Sequence, residues 1–149
     1  VALLGWLGLL GPVAALAQSG RNCDDLRGQP IQFAVDWALE IKPLLQMRCA
    51  VCHGAGDRPD FSDVGFDAIY KLVGTYVVPG RPLQSRLFDK LNCARPLSGS
   101  RMPLAGDPLS PAQQGLIYDW IAQGAKGEPG PPLARDFLFS DGIESMRSY

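Results

Sequence analysis

Apolar positions along this 149-residue chain change their period several times, and each change predicts an element. Residues 1–17 carry no charge and are mostly Leu, Ala, Gly and Val; residues 18–30 turn polar and read as an extended lead-in. Ile31, Phe33, Val35, Trp37, Leu39 and Ile41 then fall at alternate positions, the period of an extended segment, with a short buried helix as the competing reading. Pro43 suits a first helical residue, and Leu44, Leu45 and Met47 carry a helix onward to His53-Gly54. Gly56, Pro59, two aspartates and Ser62 mark residues 55–64 as a loop. Phe66, Ile69, Tyr70, Leu72 and Val73 recur at helical spacing and predict a short second helix, closed by the Pro79-Gly80 turn. Pro82 opens a third helix with Leu83, Leu87, Phe88 and Leu91 on one face. Residues 92–107 lose all periodicity and form a long loop.

The last helix has the sharpest boundaries. Ser110-Pro111-Ala112-Gln113 is a capping box with proline at the first helical position. Leu116, Ile117, Trp120 and Ile121 supply its apolar face and Gly124 its C-terminal cap. Residues 126–149, rich in Pro, Gly and charge, read as a tail with one apolar knot at Phe137-Leu138-Phe139.

The uncharged opening ends in Ala15-Leu16-Ala17 before Gln18, the h-region and A-x-A cleavage pattern of a secretory signal peptide, although the usual basic n-region is absent. A retained membrane anchor is the alternative, but 17 residues containing Pro12 are short against the roughly 20 needed to span. Gly20-Arg21-Asn22 before Cys23 is no lipobox. Export places the protein in the periplasm or another extracytoplasmic space. Cleavage leaves residues 18–149, enough for one small domain. Fourteen basic residues nearly balance 15 acidic ones, with no basic cluster of the kind that binds nucleic acid.

One pentapeptide names its own chemistry. Cys49-Ala50-Val51-Cys52-His53 is a C-x-x-C-H motif, the attachment site of c-type haem. The two thiols sit one helical turn apart, suited to bond the two vinyl groups of one porphyrin, and the adjoining imidazole serves as proximal iron ligand. A thioredoxin-like dithiol would want a βαβ pattern around the motif, and none is visible. A zinc site would need a second ligand pair, for which only the isolated Cys23 and Cys93 remain. That even remainder in an exported chain suggests a disulfide closing a loop of about 70 residues, worth about 4 kcal/mol by chain entropy; two unpaired thiols are the alternative.

His53 is the only histidine, so intramolecular bis-histidine ligation is impossible and the second axial ligand is sought among three methionines. Met47 lies two residues before Cys49 on the motif's own helix and cannot reach the other side of a porphyrin. Met146 sits near the C-terminus in a segment with little to fix it. Met102, in Arg101-Met102-Pro103 within the long loop, follows His53 by 49 residues, enough chain to return on the distal face. Proline after the methionine stiffens the backbone where a weak thioether bond must be held. The competing role for Met102 is apolar filler.

These residues together resemble class I c-type cytochromes, over residues 41–125. The match runs from Ile41-Lys42-Pro43-Leu44-Leu45 through the haem motif and Gly54 to Ser85-Arg86-Leu87-Phe88. It continues with Arg101-Met102-Pro103 and Asp119-Trp120-Ile121-Ala122-Gln123-Gly124-Ala125, in the family's order. The combination is most similar to single-haem domains called planctomycete-type cytochrome c. The resemblance implies an all-α fold, a small helical domain wrapped around one covalently bound haem c, with the first and last helices packed across each other. It carries Cys49 and Cys52 over as attachment points and His53 and Met102 as axial ligands. The segment at 31–41 and the tail lie outside the family's core pattern.

Both axial positions filled favours outer-sphere electron transfer, so the expected activity is one-electron carriage between redox protein partners rather than enzymatic turnover. A non-catalytic haem subunit of a larger redox complex, suggested by the tail, is one alternative. A haem enzyme or gas sensor with an open distal site is the other. No carboxylate pair, Ser/His arrangement or phosphate-binding glycine loop supports unrelated catalysis.

Overall fold

The computed structural model describes residues 20–54, 56–57, 59–62 and 72–127. A π-helical turn, Trp37–Ile41, runs without a break into α1, Lys42–Cys49. A 3-10 turn, Pro82–Gln84, precedes α2, Arg86–Asn92, and α3, Pro111–Ala122, completes the set. Among the described residues there are three α-helices and no strand, only two isolated bridges, which agrees with an all-α class. The second helix expected around residues 66–73 lies almost wholly outside the described residues, as do the opening segment 1–17, the tail from 128 and Met146.

The alternating pattern at 31–41 does not produce an extended segment throughout. Asp36 starts a helix instead: its side chain accepts from Leu39 N–H at 2.9 Å, and its own N–H donates to the Glu40 carboxylate at 2.8 Å. The buried residues are Trp37, Ile41, Leu44 and Leu45, spaced four, three and one apart, which is the helical period. Leu39 is 78% exposed and Phe33 58%, so two of the six residues of the period-two pattern face solvent. Regular α-helix stops at Cys49, earlier than His53-Gly54, yet the turn continues its bonding, with His53 N–H donating to the Cys49 carbonyl at 2.9 Å.

The helix expected from Pro82 is divided at Ser85, which is extended (ψ 118°). The Ser85 hydroxyl donates to the Arg81 carbonyl at 2.9 Å and accepts from Val78 N–H at 2.9 Å, tying the residue back to the preceding turn. Leu83 is thereby carried to the surface, while Leu87, Phe88 and Leu91 stay buried on α2. The last helix follows its sequence closely. Both bonds of the Ser110/Gln113 capping box form, at 3.0 and 3.2 Å. Gly124 takes φ +99°, and Ala125 N–H reaches back to the Trp120 carbonyl at 2.9 Å, a left-handed C-terminal cap.

Helix α3 is the centre of the core. Trp120 stacks on Trp37 with ring centroids 5.2 Å apart, and Tyr118 meets Phe88 edge to face at 5.2 Å. The burial extends to Gln114 and Asp119, whose polar atoms are used rather than stranded. Asp119 accepts from Gln32 N–H at 2.7 Å and Gln123 from Val35 N–H at 3.1 Å, which pins residues 32–35 along the helix. Trp120→Ala is expected to cost about 3–5 kcal/mol in urea unfolding, against less than about 0.5 for the exposed Leu39→Ala. Equal costs for the two would remove Trp120 from the centre of the core.

Residues 20–30 dock against the C-terminal end of α2. Asp24 N–H donates to the Asn92 carbonyl at 3.0 Å, and Ala94 and Arg95 N–H donate to Asn22 and Arg21 carbonyls at 3.0 and 2.9 Å. Arg21 pairs with the buried carboxylate of Asp89. The Cys23 and Cys93 sulfurs stand 2.02 Å apart, at disulfide distance. Alkylation of unreduced, denatured protein is expected to leave both unlabelled; label on both would refute the bridge.

Candidate functional site

The end of α1, one face of α2 and the loop around Met102 enclose a cavity of about 340 Å³, within the range of cofactor pockets. Cys49, Cys52, His53 and Met102, separated by up to 53 residues, all line it. Met47 does not: it points outward from α1 and is 76% exposed. The spacing and elimination arguments therefore lead to residues that folding brings into one space.

Each of the four is held by a separate local device. Cys49 closes α1, and both Cys52 and His53 N–H groups donate to its carbonyl, at 3.1 and 2.9 Å, so the motif is wound into one turn. The His53 carbonyl accepts from Phe61 N–H at 2.8 Å, and the Phe61 ring meets the imidazole edge to face at 5.8 Å. Between them, Gly54 N–H donates to the Asp57 carboxylate at 2.9 Å. Met102 is fixed through its backbone, its N–H donating to the Lys90 carbonyl at 2.8 Å.

Helix α2 presents Arg86, Leu87, Lys90 and Leu91 to the cavity, the i, i+1, i+4, i+5 stripe of one helical face. The loop adds Pro103, Leu104 and Ala105; Pro59, Phe61 and Tyr76 complete the apolar wall. Among the described residues three cations, Arg48, Arg86 and Lys90, line the space and no carboxylate does. Arg48 also spans from α1 to the loop, donating to the Asp107 carbonyl at 2.6 Å. Lys90 gathers the same loop by donating to the Ser98 and Ser100 carbonyls at 2.7 and 3.2 Å. Arg86 lies 5.9 Å from the centroid of the Tyr76 ring.

The sequence places Leu87 and Leu91 in the core and Arg86 only within the stretch that carries the resemblance, and it gives Phe61, Tyr76, Arg48 and Lys90 no role. The available signal was the pairing of Arg86 with Lys90 beside Leu87 with Leu91, each four residues apart. Phe61 and Tyr76 carried no local signal, because they reach the cavity only through the path of the chain.

The competing chemistries fare poorly in this geometry. Burial pushes the Cys49 thiol up to about 11, so at neutral pH it is a protonated thiol, the opposite of an activated redox cysteine. Cys23 and Cys93, the spare ligands a zinc site would require, lie at disulfide distance from each other. Comparison with known protein families, with curated proteins and with solved structures finds no match for this chain.

Proposed function

We propose that this chain is an exported monohaem c-type cytochrome that passes single electrons between redox proteins. The observation that carries the reading is the convergence of Cys49, Cys52, His53 and Met102 on one cavity. Bound there, haem c supplies a one-electron iron couple. Cys49 and Cys52 would hold it through two thioethers, and His53 and Met102 would ligate its iron. The residues present fit such a group: Phe61, Leu87 and Leu91 offer buried apolar walls that exclude water, and Arg48, Arg86 and Lys90 offer positive charge to its carboxylates. Phe61 braces the His53 ring, which keeps the imidazole oriented without spending its nitrogens.

With its sole histidine committed as a ligand, the chain has no imidazole for general base work, and carriage rather than turnover follows. Val51 and Leu104 line the cavity and are 86% and 71% exposed, an apolar rim suited to docking a redox partner. The same rim serves the second reading, a haem subunit of a larger complex. Sedimentation of the native protein separates the two, a lone monomer speaking for the carrier.

The test is covalent haem. Exported from a host competent in c-type cytochrome maturation, the protein is expected to keep haem through denaturing electrophoresis and to show polypeptide plus haem mass. Haem that leaves freely into acidified organic solvent overturns the proposal.

A further inference from the structure

The C-terminal end of α2 leaves three carbonyls that no helical N–H can satisfy, and their partners converge on Met102. Lys90 O accepts from Met102 N–H at 2.8 Å, Leu91 O from Arg101 Nε at 3.2 Å, and Asn92 O from Asp24 N–H at 3.0 Å. Three orphan acceptors in succession are thus closed by the candidate ligand, its neighbour and the lead-in. The Arg101 guanidinium then turns to the Asp24 carboxylate, pairing through Nη2–Oδ2 and, at 3.5 Å, Nη1–Oδ1. Asp24 is itself over-determined: its carboxylate accepts from Gln114 Nε2 at 2.7 Å and its carbonyl from Asn92 Nδ2 at 2.9 Å. Asn92 Nδ2 also donates to Gln114 Oε1 at 3.0 Å, which roots the cluster in α3.

We propose that Asp24, acting through Arg101, is a positioning residue that holds Met102 in the cavity lining. Loop 94–109 contains Gly99 and Gly106 at positive φ and has no regular structure of its own, so its placement depends on what grips it. The Lys90 ammonium and carbonyl, the Asp89 carboxylate and the Arg48 guanidinium grip it from the helices. From the lead-in, the Asn22 and Arg21 carbonyls hold the loop's start at Ala94 and Arg95, and the Asp24–Arg101 pair acts on the residue immediately before the sulfur ligand. Both side chains are largely shielded, 35% and 20% exposed, where a charge-assisted fork-to-fork pair outweighs a surface pair. Neighbouring Asp25 is different: it pairs only locally, with the exposed Arg27, and does not touch the loop. Asp24 lies before residue 41, outside the segment that resembles the cytochrome domain, so this chain supports its second ligand with a piece of its own lead-in.

The inference rests on Met102 as axial ligand, and the experiment separates the two claims. Holoprotein carrying Asp24→Ala, Asp24→Asn or the control Asp25→Ala is compared with wild type by the near-infrared sulfur-to-iron charge-transfer band, by carbon monoxide association and by reduction potential. Hydrogen exchange over residues 97–105 is followed alongside. Both Asp24 variants are expected to weaken the band, lower the potential, and raise carbon monoxide association and loop exchange by about tenfold, the factor a part-buried charge-assisted bond contributes. Asp25→Ala should match wild type, and Asp24→Glu should recover part of the band. A wild-type band that persists in both Asp24 variants overturns the positioning role while leaving the ligand intact. Unchanged exchange in the Asp24 variants overturns it whatever the haem shows. A wild type with no such band, but faster loop exchange on Asp24 substitution, removes Met102 as ligand and leaves only a loop clamp.

Discussion

Replacing Cys49 and Cys52 together by alanine is expected to abolish covalent holoprotein, with haem content after denaturing electrophoresis falling to background. Both thioethers vanish in the double variant, while His53, Met102 and the apolar walls remain, so any haem it keeps is dissociable. The single variants discriminate further. Cys52 sits at the exposed end of the turn and Cys49 at its half-buried start, yet each single variant leaves one thioether and should keep some haem through denaturation. Far-ultraviolet dichroism of the apoproteins is expected to change little, because neither cysteine is a buried core residue and Cys49 only packs against the core's edge. Covalent haem in the double variant would show that the motif is not the attachment site, and every functional claim made for the cavity would go with it.

Met102→Ala is expected to open the second axial position, convert low-spin iron to high-spin and lower the reduction potential. The thioether is a soft neutral donor that raises the potential, so its loss shifts it downward on the order of 0.1 V, a fraction of the span axial ligands cover. Carbon monoxide and cyanide should then bind readily. Met47→Leu should leave the visible spectrum unchanged, since Met47 stands outside the cavity at 76% exposure. A wild type that is already high-spin, with no response to Met102→Ala, would hand the protein to the open-site enzyme or gas-sensor reading.

These two experiments bear on residues that the sequence could supply, and the physical reason is distance along the chain. Cys49, Cys52 and His53 fall within one turn, so their joint chemistry needs no knowledge of the fold. Ser110, Pro111 and Gln113 likewise complete their capping within four residues, and Gly124 ends the same helix through its own backbone freedom. Met102 was reachable by elimination, because only one histidine and three methionines had to be sorted.

What folding alone decided involves partners far apart in sequence. Alternation at 31–41 suggested an extended run because period counting weighs every apolar residue equally, whereas burial against Trp120 selects Trp37 and Ile41 and leaves Leu39 to solvent. A helix through Ser85 looked continuous until the hydroxyl found Val78 and Arg81 as better partners. Phe61 behind His53, and Arg86 with Lys90 on the cavity wall, owe their roles to the course of the chain around them. The Asp24–Arg101 pair spans 77 residues and could not be distinguished in sequence from any other acid and base. Local bonding is written in composition and spacing; the choice among equivalent apolar and charged residues is made only when the core closes and assigns each one a neighbour.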